Sequence, residues 1–302
     1  DFFDGELKIE GIMLKPDSLV FNRLKQRDSL PEYYYEISVK SIDFKGINLV
    51  WKRDYRKLNF KLFEIKQPCI TVFNNPKATK EMLHQAPKSI YETISPYFDV
   101  IGVQKVNLED ANVSFIVNDD PQPTIYSLQN INYRAYNLLL NDKSQQSGKL
   151  LYCDNFEFSV NKPQTILSNS QLLLATDSIH LSTADSIISI KGIHLYPQDK
   201  EWQAHTSEEG NYIDTKVKSV QAKGISFSRQ HGLNYLDALS FVIQPSSIDF
   251  HTVKQSKRDI PKKLNDNDAP SNWSLYSIIS PILHRVSIAK IDLESTSLNF
   301  HV

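Results

Sequence analysis

One stretch of this chain is written twice, and its letters are those of β-strands. Residues 9–16, IEGIMLKP, return as residues 190–197, IKGIHLYP. Residues 39–49, VKSIDFKGINL, return as 217–227, VKSVQAKGISF, and residues 91–109, YETISPYFDVIGVQKVNLE, return as 276–294, YSIISPILHRVSIAKIDLE. The order is kept at a separation of about 180 residues, which marks one long duplication and constrains the architecture before any local reading. Two modules follow: residues 1–185, with a helical insert near 79–98, and residues 186–302, a truncated second copy. The second copy stops mid-pattern and the first residues already read as strand, so the chain is expected to be a fragment of a longer protein, forming one continuous elongated body.

Within the modules, apolar and polar residues alternate. Tyr35, Ile37 and Val39 share one side of a strand, while Glu36, Ser38 and Lys40 share the other, the pattern of a sheet with one dry and one wet face. Comparable runs fall near 6–14, 34–51, 57–66, 69–74, 100–108, 111–117, 124–140, 149–160, 165–182, 186–195, 212–229, 236–243, 246–252, 285–293 and 296–302. The expected fold is mainly β, a long antiparallel, twisted and curled sheet with short helices between strands. A parallel sheet would instead read as unbroken apolar runs.

The alternation slips where Ile42 and Phe44 give way to Ile47 and Leu49, one step out of phase across Gly46. A bulge with glycine in the left-handed region would absorb one residue there, and the same x-Gly-Ile unit recurs at Gly11, Gly192 and Gly224. The alternative is a tight turn at each glycine. A helical insert is predicted in each copy, at 79–98, capped by Thr79 and interrupted at Pro87, and near 272–284. The loop 254–272 carries Lys254, Lys257, Arg258, Lys262 and Lys263, a set suited either to anionic headgroups or simply to solvent.

Chemistry is harder to find. With 34 Lys and Arg against 35 Asp and Glu, the net charge of −1 gives no basic field for nucleic acid. The eight histidines form no H-E-x-x-H or His-x-His pattern, so no metal site is expected. No Gly-rich phosphate loop or G-x-S-x-G elbow occurs, and adjacent carboxylates such as Glu109 and Asp110 point to opposite faces of a strand. No catalytic residue and no cofactor are predicted. Cys69 and Cys153 read as small buried hydrophobes. No run is long and apolar enough to cross a bilayer, so any membrane anchor is expected outside this fragment.

What accumulates is apolar surface. The expected lining comprises Ile37, Val39, Ile42, Phe44, Ile47, Leu49, Phe60, Leu62, Ile70 and Val72 in the first copy, and Val217, Val220, Ile225 and Phe227 in the second. A curled sheet too wide for its own side chains to fill would leave a dry trough for acyl chains. Two such faces packed together would leave none.

The module Tyr35–Asn75, with its alternating strand, x-Gly-Ile unit, basic linker and L-x-x-I-x-x-P-x-I-x-V segment from Leu62 to Val72, resembles the AsmA-like family of bacterial envelope proteins, in its Bacteroidetes forms. Gln244-Pro245 echoes Gln67-Pro68, and Leu275–Leu293 is similar to another stretch of these proteins. The resemblance implies a U-shaped β-groove, periplasmic and tethered to the inner membrane by a segment not present here, that guides phospholipid acyl chains without catalysis. Its partners would be phospholipid and other envelope proteins. The competing expectations are a structural or protein-binding β scaffold with a filled core and, third, a glycan-acting enzyme.

Overall fold

The structure, a computed structural model, describes residues 5–27, 29–75, 90–117, 124–144, 147, 149–166, 172–197, 212–230, 233–251, 283–294 and 296–301. The chain divides into two compact units, Asp1–Val160 and Asn161–Val302. The repeat boundary at 185/186 lies inside the second unit. The predicted helix near 272–284 and the basic loop at 254–272 lie outside the described residues. Of the predicted insert at 79–98, only the part from residue 90 onward is described.

In the first unit β1 (Glu6–Leu14) is followed by helix α1 (Ser18–Gln26), β2 (Tyr33–Lys45), β3 (Asn48–Lys52), β4 (Tyr55–Lys66) and β5 (Cys69–Asn74). Helix α2 (Ile90–Ile94) leads into β6 (Val100–Val117), β7 (Thr124–Leu140) and β8 (Asn155–Asn161). β1 pairs with β2, which pairs with β4 and β5. These lie against β6, then β7 and β8. The α1 helix was not foreseen. Its local cause is Asp17, whose carboxylate accepts the Leu19 and Val20 amides at 2.9 Å, an N-cap. Phe21 then sets the helix edge-on against Tyr34, which stacks on Phe73.

The sheet is mixed, which corrects the expectation of a wholly antiparallel one. β6 runs parallel to both β4 and β5, because the connection carrying α2 returns the chain to the end from which β4 started. A two-residue hairpin could only have produced an antiparallel neighbour.

The second unit contains β9 (Gln164–Ile166), β10 (Leu172–Ala175), β11 (Ser178–Ser182), β12 (Ile187–Pro197), β13 (Tyr212–Lys223), β14 (Ser226–Gln230), β15 (Leu233–Ala238), β16 (Ser240–His251), β17 (Arg285–Ile288), β18 (Ile291–Leu293) and β19 (Ser297–His301). It repeats the first unit's pairing. β12 lies on β13 with Ile190 opposite Val220, as β1 lies on β2 with Ile9 opposite Ile42. β17 runs parallel to β15, and β18 and β19 run parallel to β16, in the manner of β6 beside β4 and β5.

All four repeated glycines have left-handed backbones, with φ from 61° to 65°. None makes a bulge or a turn. Lys45 faces Leu62 and Asn48 faces Asn59 in one unbroken register along β4, so Gly46 interrupts the strand without adding a residue. The register is equally unbroken across Gly11, Gly192 and Gly224. A bulge would have placed two residues against one.

Candidate apolar binding faces

Direct cross-strand neighbours share a face of a sheet, so a chain of such pairs traces a row from strand to strand. In the first unit one row runs Leu7, Phe44, Phe63, Val106, Ala135, Phe156, and the next runs Ile9, Ile42, Ile65, Leu108, Tyr133, Phe158. Both are apolar across six strands. The row between them, on the opposite face, is polar: Lys8, Asp43, Glu64, Asn107, Arg134, Glu157. Phe44 stacks on Phe63 at 5.0 Å and meets Phe60 at 5.2 Å.

Toward the other end of the same strands the apolar rows are Leu14, Ile37, Ile70, Val113, Leu128 and Tyr35, Val72, Phe115. They occupy the opposite face. β2 has no residue of positive φ, so its odd residues Ile37 and Val39 point away from its even residues Ile42 and Phe44. Each face of the sheet is therefore apolar over one half and polar over the other. The exchange falls at a line of left-handed residues to either side of β2: Gly11 in β1, Gln67 (φ 48°) between β4 and β5, Asp110 (φ 52°) in β6 and Asn130 (φ 54°) in β7.

This line is held by asparagines. The Asn132 carboxamide accepts the Asp110 amide at 3.1 Å, Asn112 accepts that of Asn130 at 3.3 Å, and Asn112 donates to the Asp110 carbonyl. An open cleft of about 630 Å³ runs beside it, lined by Ile12, Met13 and Val39 together with Lys40, Gln67 and Asn112. Cys69 also lines it and is exposed, which corrects the expectation of a buried thiol: it follows Pro68 directly and pairs with Ser38 and Asn112 on the polar side. Cys153 is buried, and both thiols are free.

The polar half-face is an ion network. Lys66 Nζ lies 2.9 Å from Glu64 and 4.0 Å from Asp43, and Asn107 donates to Glu64 at 3.2 Å. Burial pushes the Glu64 carboxyl up, but hydrogen bonds from Lys66 and Asn107 outweigh it and hold the group below the ordinary carboxylate value. On the other face, burial raises the Tyr133 phenol strongly, with Cys153 adding to the effect, and burial likewise raises the Cys153 thiol.

The expected lining is thus divided. Ile42 and Phe44 join one strip, while Ile37, Val39, Ile70 and Val72 join the other. Of these residues Val39 is buried, while Ile37, Ile42, Phe44, Ile47, Phe60, Leu62, Ile70 and Val72 are half-buried and Leu49 is exposed. Phe60 also lines a second open cleft of about 690 Å³ with Val103, Leu138 and Leu139. In the second unit Val217 and Val220 fall on opposite faces of β13. Ile225 belongs to a closed cluster with Ala222, Leu236 and Ala238, against which Phe227 packs. The strips gain members that the lining had not included: Leu7 (39% exposed), Ile9 (41%), Leu14 (59%) and Leu128 (42%). Their signal was the same alternation, at the outermost strand and at the approach to a polar loop.

No helix among the described residues is long and apolar enough to cross a membrane. No protein-family model matches the chain, and no curated protein matches it.

Proposed function

We propose that this chain is a non-enzymatic lipid-binding and lipid-transfer segment of a cell-envelope protein, whose apolar strips hold phospholipid acyl chains. The observation that carries the reading is the Leu7 and Ile9 rows: apolar side chains aligned across six strands, with their outer members substantially open to solvent. Val106, Ala135 and Phe156 are buried, so the surface open to a ligand lies at the β1 end of the rows, where exposed apolar side chains side by side are the mark of a binding site. Each methylene laid on it and fully removed from water is worth up to about 0.8 kcal/mol. The polar half of the same face, which carries Lys40 and Asn112 beside the open cleft, suits a headgroup. Phospholipid co-purifying with the intact chain in native mass spectrometry, and its loss in an Ile9→Asp variant of unchanged circular dichroism, is the expected result. A chain that takes up no phospholipid from vesicles under any condition sinks the reading.

A second reading, a protein-binding β scaffold of the envelope, draws on two observations: the exchange of apolar faces at the left-handed line, which shortens each strip, and the closed cluster around Ile225. It expects no lipid, and a loss of fold rather than of uptake when Ile42 becomes Asp.

A further inference from the structure

β1 and β12 are the same strand in the two copies. Ile9 corresponds to Ile190, Gly11 to Gly192, Ile12 to Ile193 and Leu14 to Leu195, and each strand pairs on one side with its own β2-type neighbour in the same register. Their other sides differ. β12 carries β11 and β10 there, antiparallel, with Ile179 opposite Ile190, Ala175 opposite His194 and Leu174 opposite Leu195. Among the described residues β1 pairs with β2 alone. Met13 is 63% exposed and Leu14 59%, whereas their counterparts His194 and Leu195 are half-buried.

The glycines record the difference. At Gly192 the Asp177 carboxylate lies so close that an added Cβ would collide with it, and the Asp177 amide donates to the Lys191 carbonyl at 2.9 Å. At Gly11 an added Cβ would meet nothing within 4 Å, although the backbone has the same left-handed conformation. In the shared register the Glu10 carbonyl is the counterpart of that of Lys191.

We infer that the outer edge of β1, residues 7–14, is a docking site for an antiparallel β-strand of a partner polypeptide with the chemistry of Leu172–Ser182. This strand places apolar side chains opposite Leu7, Ile9 and Leu14, a small residue opposite Met13 and an aspartate against Gly11. Main-chain hydrogen bonds supply the affinity and the alternation supplies the register. An uncovered edge strand recruits extended peptides in this way; β1 carries no proline between Leu7 and Leu14, and its two charged side chains, Lys8 and Glu10, pair with each other.

The test adds a synthetic peptide of residues 172–182, LLLATDSIHLS, with a solubilising lysine tag, to the full chain and follows amide hydrogen exchange. Exchange at residues 7–14 slows about tenfold or more at saturation, and a peptide lacking the aspartate, which shifts the alternation by one, gives no slowing. The inference is overturned if β1 is unaffected, if the shifted peptide protects it equally, or if protection maps to residues 187–197. Protection of residues 7–14 that rises with protein concentration and needs no peptide also overturns it, since the occupant is then a second copy.

Discussion

The Ile225 amide donates to the Ser186 carbonyl at 3.0 Å, and the corresponding bond in the first copy joins Ile47 to Gly5 at 2.9 Å. Both acceptor residues are left-handed, with φ 53° at Ser186 and 64° at Gly5. The second copy therefore keeps the bond with a side chain in a region that disfavours one. Ser186→Gly should relieve roughly 1 kcal/mol, raising the urea midpoint for unfolding of the second unit. Gly5→Ser should do the opposite in the first unit and cost more, because its Cβ would meet the Ile47 backbone at 3.3 Å. Equilibrium urea titration of the two variants checks both signs.

Gly11 and Gly192 make a second matched pair. Alanine at Gly11 meets only the conformational penalty, about 1 kcal/mol. At Gly192 it must also displace the Asp177 carboxylate, and a loss of about 2 to 3 kcal/mol is expected. Equal losses at the two sites would mean that Asp177 does not sit where the structure places it.

Much of this was legible because period-2 alternation and duplication are both written in side chains. Most of the strand runs and the left-handed glycines were read from letters alone, although the run at 149–160 opens in a 3-10 turn at Leu150–Tyr152. What could not be read was which residues share a face. The slip read across Gly46, between Ile42 or Phe44 and Ile47 or Leu49, is not the phase change that divides the faces: that one falls earlier, between Val39 and Ile42, where no glycine marks it, and a sequence shows phase but not whether the backbone slips to follow it. β2 keeps its alternation, so the apolar set changes sides instead. The parallel pairing of β6 was hidden for a related reason: its letters at 106–109 and 111–115 alternate apolar and polar as those of an antiparallel strand do, and strand direction depends on a connection rather than on the strand.

The ion network predicts an acid limb of stability. The Glu64 carboxyl is held below its unfolded value of 4.5, so its contribution is full above that pH and is lost as pH falls through the lower, folded value. Glu64→Gln should lower stability at neutral pH and flatten its decline below pH 4.5. Thermal melts from pH 7 to pH 3 check this; an unchanged acid slope in the variant would remove Glu64 as the cause.

The two thiols should react in two phases. Cys69 is exposed and Cys153 is buried, with its thiol pushed up by burial, and it is the thiolate that attacks. A disulfide reagent at pH 8 should titrate Cys69 at once and Cys153 only when denaturant is added. Cys69→Ser should abolish the fast phase alone.

The division of the apolar strips makes the lipid reading sharper. Ile9 lies on the same face as Ile42 and Phe44, whereas Leu14 lies with Ile37, yet both are at the outermost strand and well exposed. An aspartate at either position therefore adds little strain to the fold. If acyl chains run along the six-strand rows, Ile9→Asp removes contact with about two methylenes and should weaken phospholipid uptake roughly tenfold, while Leu14→Asp leaves it near normal. Vesicle-to-protein transfer of a fluorescent phospholipid separates the two. Equal losses would mean that lipid bridges both faces past the left-handed line, and no loss in either would leave the strips to protein partners.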